Sequence, residues 1–222
     1  MKPRKAGRPK KPSGPHDPSN RTRIQEVALR LFAEKGFDGT TVQEIVSEAR
    51  TNLSMISYYF GGKEGLYKSC LDQVGQKAIE STDRLLSPPK TREEFLLRLR
   101  LFVEEVMDFH IKNRDVTAII ARESAQPGPV MRSLIENCFY RSYHVFQSFL
   151  EAAQKAKILH ADLDVPTFSI FFFNSLIGIC RSDACAVTIL GKKIEDKDFR
   201  EAVVSLLMDR LIMSALKDET AG

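Results

Sequence analysis

The 222-residue chain holds only four cysteines and four histidines, and none of them falls into a metal-ligand or disulfide pattern. Cys180 and Cys185 stand five apart, Cys70 and Cys138 are isolated, and His16, His110, His144 and His160 are scattered, which leaves no zinc-finger spacing. Four thiols packing as small hydrophobes are expected, with no metal and no cofactor. Long apolar runs are missing too. The most apolar segment, residues 168–179, is 12 residues long and contains Asn174 and two serines, short of the ~20 residues of a membrane span. It is expected to form a buried helix. The first twenty residues are basic, carry Pro3, Pro9, Pro12, Pro15 and Pro18, and offer no apolar stretch for a secretory signal. A cytoplasmic protein without a membrane partner is the expectation. Catalytic signatures are also absent. Gly61-Gly62-Lys63-Glu64 lacks the upstream glycine and the following Ser or Thr of a phosphate-binding loop. No Gly-x-Ser-x-Gly elbow occurs, so an enzyme is not expected.

What the chain does have is a core-forming composition, 43% hydrophobic and 28% charged. At this length roughly 70% of the unfolded surface can be buried without staples. The net charge of +4 is unevenly placed. Residues 1–23 carry eight basic groups and one acid, so the remainder is net acidic. An arm at 1–19, rich in proline and charge, has nothing to fold around and is expected to be a mobile cation that seeks nucleic acid or another anionic surface. A solvated tail is the alternative. Its run Ala6-Gly7-Arg8-Pro9-Lys10-Lys11 resembles an AT-hook, an extended Gly-Arg-Pro core lying in the narrow minor groove of A·T-rich DNA. That resemblance makes Arg8 and Lys10 candidate DNA contacts.

Apolar residues then recur at helical spacing. Ile24, Val27, Ala28, Leu31 and Phe32 stripe a first helix, with Thr22 and Gln25 as a capping box and Gly36 as its left-handed stop. Thr41 with Glu44 caps a second helix at 42–49, and Asn52 caps a third short one whose Ile56 and Phe60 point inward. Two short helices joined by a tight turn make a helix-turn-helix, placed within a domain of residues 20–75. Gly61-Gly62 introduces a longer helix to about residue 86. Beyond Pro88-Pro89 the pattern stays helical, over 92–113, 115–125, 129–157, 165–186 and 198–217. No period-2 alternation and no internal repeat appears. The predicted fold is all-α, a three-helix domain followed by a helical domain at 76–222.

With Ile56 and Phe60 inward, the third helix turns Leu53, Ser54, Ser57 and Tyr58 outward, at a size that fits a major groove. Serine hydroxyls can exchange hydrogen bonds with base edges, and Leu53 or Tyr58 can pack on a thymine methyl. Simple helix packing is the other use for Tyr58 and Tyr59.

Ala28, Leu31-Phe32, Gly36, Thr40-Thr41, Ile45, Ala49, Tyr58-Tyr59-Phe60, Lys63 and Leu66-Tyr67 together make residues 24–71 resemble the N-terminal domain of the TetR/AcrR family of bacterial transcriptional regulators. The resemblance implies that Leu53, Ser54, Ser57 and Tyr58 read bases, that Gln43 adds a base contact, and that Thr41, Met55, Tyr59 and Lys63 sit at phosphate-contacting positions. The family usually has Gly where Arg50 stands, Val at Thr51, a serine-like cap at Asn52 and Tyr at Ser57, departures that bear on which operator is read. Residues 24–75 hold five basic and seven acidic groups, so the arm is expected to supply much of the phosphate attraction.

For residues 92–217 the resemblance implies a variable domain for ligand binding and dimerisation, and Ile120 to Pro127 resembles the CecR-like subgroup. One short helix reads too few base pairs. Two copies about 34 Å apart read a palindrome, so a homodimer on a double-stranded DNA operator is expected. Its interface is assigned to Phe168, Phe172, Leu176 and Ile179 with Leu207, Leu211, Ile212 and Ala215. A cavity for a small apolar or amphipathic ligand is expected among Phe102, Val106, Phe109, His110, Ile119, Phe139, Tyr143 and Phe146, and plain core would use the same residues. His110, Arg122, Glu123 and Asn174 are placed to orient a ligand, although Arg122 and Glu123 also suit structural ion pairs. The expected function is a dimeric repressor released by an inducer. The alternatives are a DNA-binding scaffold of this fold without an inducer, or an architectural A·T binder led by the arm.

Overall fold

The computed structural model describes residues 18–181 and 183–217. Arg8, Lys10 and the AT-hook-like run lie outside the described residues. The chain divides into two units, residues 1–70 and 71–222, with the division inside one helix a few residues before the expected boundary.

Four helices build the first unit: α1 (Pro18–Gly39), α2 (Val42–Glu48), α3 (Leu53–Phe60) and the opening of α4 (Lys63–Leu85). Helix α1 is already helical at Pro18, the first described residue. Thr22 is consequently inside the helix and is not its first residue, a correction to the expected start. Gln25 is buried, and its amide donates to the Ser69 hydroxyl at 3.0 Å. Gly36 does stop the helical path, with φ of 78°. Behind it the buried Thr40 hydroxyl lies 2.8 Å from the Gly36 carbonyl and 3.1 Å from that of Leu31. Arg21 and Arg23, counted with the basic N-terminal stretch, belong to the folded unit. The Arg21 guanidinium lies 5.3 Å from the Phe60 ring centre, and Arg23 Nε donates to the Ala49 carbonyl at 2.8 Å. Ile24, Ala28, Leu31 and Phe32 of α1 meet Ile45 and Ala49, Ile56, and Leu66 and Tyr67 in the core.

The second unit contains the rest of α4, then α5 (Arg92–Lys112), α6 (Arg114–Glu123), α7 (Pro129–Leu134), α8 (Arg141–Lys155), α9 (Val165–Arg181), α10 (Asp183–Leu190) and α11 (Lys197–Ser205). A π-helical stretch, Ile135–Tyr140, joins α7 to α8, so the expected single helix over 129–157 is real but locally widened. Another, Leu206–Ile212, follows α11 and ends in a 3₁₀ turn, Met213–Ala215. The core is aromatic. Phe146 stacks on Phe172 at 5.1 Å and on Phe102 at 5.7 Å, and Phe95 stacks on Phe149 at 5.2 Å. Among the described residues the only extended pairing is an isolated bridge between Leu159 and Leu216.

Helix α9 buries one side only: Val165, Ser169, Phe172, Leu176 and Cys180 recur at three- and four-residue spacing toward the core. Most of the residues expected at the dimer interface therefore serve the unit's own core. Phe172, Leu176, Leu207, Ile212 and Ala215 are buried in the unit's own core, and Phe168, Ile179 and Leu211 pack half-buried against it. The reason is the width of the apolar arc on α9. The stripe assigned to a partner is the one covered by α5 and α8, while Phe171 (59% exposed) and Ile170 lie on the open side. The thiols also differ from expectation at one place. Cys70 and Cys180 are buried and Cys138 is half-buried, whereas Cys185 is exposed. No helix among the described residues is long and apolar enough to cross a membrane.

Candidate functional site

The outer face of α2 and α3 is set by caps. Thr41 Oγ1 accepts from the Glu44 N–H at 3.2 Å, and the Glu44 carboxylate accepts from the Thr41 N–H at 2.8 Å, closing the expected capping box. The same carboxylate takes an ion pair from Lys35 at 2.6 Å. The Lys35 ammonium, followed by the Thr41 donors, holds the Glu44 carboxyl at about 2, well below its ordinary value. At α3, Asn52 Oδ1 accepts from the Met55 N–H at 3.2 Å and from the Ser54 hydroxyl at 2.5 Å, and Gly61 ends the helix at φ 74°. Between α2 and α3 the chain turns through Arg50 at φ 49°, a left-handed conformation that glycine adopts without strain.

These ends fix the direction of each side chain. Ile56 is buried, which leaves Leu53 (56% exposed), Ser54, Ser57 and Tyr58 (59% exposed) on the outer face, as expected. Tyr58 and Tyr59 meet edge to face at 5.1 Å. Gln43 and Thr41 are exposed, and Met55 and Tyr59 are half-buried. Lys63 Nζ lies 4.4 Å from the Phe37 ring centre, a cation–π seat that keeps the ammonium beside the first unit's aromatic cluster. Arg30 pairs with Glu34 and Glu48. Arg50 differs from these basic groups, since its exposed guanidinium meets no side-chain partner among the described residues. Sequence reasoning marks Arg50 as a departure from the family pattern that bears on operator choice, but names no DNA contact for it.

Two cavities lie within the second unit. One, of about 210 Å³, is walled by α4 through α9. Of the expected ligand residues it gathers Phe102, Val106, Phe109, His110 and Phe139. A larger, more open one of about 820 Å³ shares His110 and Phe139 and adds Tyr143 and Asn174. Ile119 and Phe146 are core, and Arg122 lines neither cavity. Sequence reasoning misses the α4 wall around Val74, Gly75 and Ala78, together with Leu134, Cys138 and Phe173. Gly75 carries the signal. A Cβ there would stand 2.5 Å from Cys138 Sγ and 2.9 Å from Leu134 Cδ1, so only glycine lets the π stretch approach this closely. His110, 5% exposed, places Nδ1 3.0 Å from Thr117 Oγ1. Burial, reinforced by the charge of Arg181, lowers its pKa to about 4, so the ring is neutral at physiological pH.

The sequence profile of the bacterial regulatory proteins of the tetR family matches residues 24–70, the segment that builds this face. The chain is 30% identical over 142 residues to the probable HTH-type transcriptional regulator YttP of Bacillus subtilis, an alignment covering 63% of this chain and 67% of that protein. The chain belongs to the TetR family. This TetR-family protein is a transcriptional regulator with a DNA-binding helix-turn-helix, and α2 and α3 are that motif. It is also 30% identical over 112 residues to the HTH-type transcriptional repressor NicS of Pseudomonas putida, covering 50% of this chain and about half (51%) of NicS. Among solved structures, a transcriptional regulator from Saccharomonospora viridis in complex with choline superposes with a TM-score of 0.66. The overlap takes in 91% of this chain and 100% of that one at 18% identity, a likeness of fold alone.

Proposed function

We propose that this regulator is a dimeric repressor that holds a palindromic operator through α3 of each copy and releases it when a small molecule enters the second unit. The observation that carries the reading is the outward set Leu53, Ser54, Ser57 and Tyr58 on a capped helix whose opposite side is anchored by Ile56. Such a helix reads a few base pairs, and a two-fold copy one helical turn away supplies the rest. Phe171 on α9, Val187, Ile189 (72% exposed) and Leu190 on α10 offer an apolar surface that a second copy would cover. The cavities supply room for a ligand, and the choline-bound neighbour illustrates one fold relative that takes a small molecule. An inducer acts by binding more tightly to a dimer shape that no longer matches successive major grooves.

The arm supplies the phosphate attraction that the first unit lacks. Arg21 and Arg23 are engaged within the fold, which leaves six basic residues and Asp17 in residues 1–17. Deleting residues 1–17 should weaken operator binding and flatten its log–log salt dependence by several units, at roughly 0.9 for each phosphate the arm neutralises. An unchanged slope in the salt titration would remove the arm from the interface. Footprinting on genomic DNA tests the reading as a whole: a discrete palindrome supports it, and a diffuse A·T footprint led by the arm overturns it. A monomer by light scattering at micromolar concentration would overturn the dimer.

A further inference from the structure

We propose that the cavity beside His110 takes a neutral, largely apolar molecule bearing a hydroxyl, whose hydrogen is donated to His110 Nε2. The inference rests on the inducer reading above and adds to it the chemical class of the ligand.

The polarity of the hydrogen-bond chain sets that class. Thr117 carries one hydroxyl proton, and the Asn113 carbonyl, 3.1 Å from Oγ1, is a pure acceptor one helical turn back. The hydroxyl donates there. His110 Nδ1, 3.0 Å from the same Oγ1, therefore carries the ring hydrogen and donates to Thr117. A neutral imidazole with its hydrogen on Nδ1 has a lone pair on Nε2. Among the described residues nothing donates to Nε2, although the ring is almost wholly buried and lines both cavities. Nε2 is not sealed in the core but keeps accessible surface on a residue that lines both cavities, so a ligand that brings a donor can pair it there.

In the smaller cavity, which Arg181 does not line, the charged groups have partners or face solvent. Asp108 pairs with Lys112 at 3.0 Å and with Arg200 at 2.6 Å, and Glu105 accepts from the Ser81 hydroxyl at 2.7 Å. Lys77 is exposed. Next to His110 the lining is Phe102, Val106, Phe109, Val116, Phe139 and Phe173. An apolar cavity of 150 Å³ accepts benzene, so about 210 Å³ accommodates one ring with a short alkyl chain.

The test uses the full chain and a matched trio, 4-propylphenol, 4-propylanisole and 4-propylbenzoate, with binding measured by calorimetry. The phenol is expected to bind about tenfold more tightly than the ether, the worth of one buried hydrogen bond. His110→Phe should erase that ratio, whatever it does to the affinity of either compound alone. Because the variant removes a core ring, a second measurement needs no substitution: nitrogen NMR of labelled histidine should place the ring hydrogen on Nδ1. Equal affinity of phenol and ether, tightest binding by the benzoate, or a hydrogen found on Nε2 overturns the ligand class and leaves the inducer reading standing. If no member of the trio binds, and a general metabolite panel gives no thermal shift either, the inducer reading falls with it.

Discussion

The two units reach helical structure by different means. In the first, nearly every break is written into the residues beside it: Gly36 breaks the helical path of α1, Thr41 and Glu44 open α2, and Asn52 and Gly61 bracket α3. In the second, Thr91 caps α5, but α6, α7 and α11 begin without a side-chain cap, and two helical paths pass through π stretches. There the fold is held by aromatic stacking between helices distant in sequence. The DNA-binding unit is specified locally and tightly. The second unit is specified by long-range packing, which leaves cavities where the packing is incomplete.

Truncation of a central ring tests that contrast most strongly. Phe146→Ala removes a wholly buried ring stacked on Phe102 and Phe172, and should destabilise the second unit by about 3–5 kcal/mol in a urea titration. A loss near 1 kcal/mol would mean that packing matters no more there than caps do in the first unit.

Acidification comes next in size and separates the units by window. His110 has a pKa near 4 in the fold against an ordinary 6.5, so as pH falls through that interval the unfolded chain gains a proton that the folded one refuses. Its contribution is complete above 6.5 and is lost by pH 4, a change of up to about 3 kcal/mol. Glu44, exposed in the first unit, is held at about 2 against 4.5, so its contribution is present above 4.5 and is lost only as pH falls toward 2. Hydrogen exchange between pH 7 and 4 should therefore show protection falling around α5 and α6 before it falls around α2. The reverse order would break the assignment of His110 as a buried neutral ring.

How much is legible in the sequence follows the same division. Ile24, Ala28, Leu31 and Phe32 repeat on one helical face, and Thr41 with Glu44 is a local pattern, so the helix-turn-helix and its outward residues can be read directly. Thr22 misleads because a Thr followed three residues later by Gln looks like a cap, while the chain is already helical at Pro18. On α9 the chain places apolar residues around most of the helix. Periodicity alone does not say which stripe, Phe172 with Leu176 or Ile170 with Phe171, the rest of the chain will cover. Gly75, within a helical run, marks a close approach without naming Cys138 as its partner.

Thr41→Ala sharpens the comparison at lower energy. It removes the acceptor for the Glu44 N–H and should cost about 1 kcal/mol, with α2 fraying in hydrogen exchange. The same substitution at Thr117, in the first turn of α6, should change ligand selectivity at His110.

The smallest effect has two opposing parts. Arg50 departs from the rule that local chemistry agrees with local geometry, since it holds φ at 49° with a side chain, at a strain of about 1 kcal/mol. Arg50→Gly removes that strain but gives the unfolded chain more freedom, so a net gain of roughly 0.5 kcal/mol is expected in denaturant titration. Operator binding should move the other way. The guanidinium is exposed beside the cap of α3 and meets no side-chain partner among the described residues. It is therefore available to a phosphate, and its removal should lower the salt-dependence slope by about 0.9. If Arg50→Gly stabilises the fold and leaves the slope unchanged, the left-handed arginine has no role in binding. A drop in slope together with a gain in stability would mean that strain is retained in the most locally determined part of the chain because the cation acts on DNA.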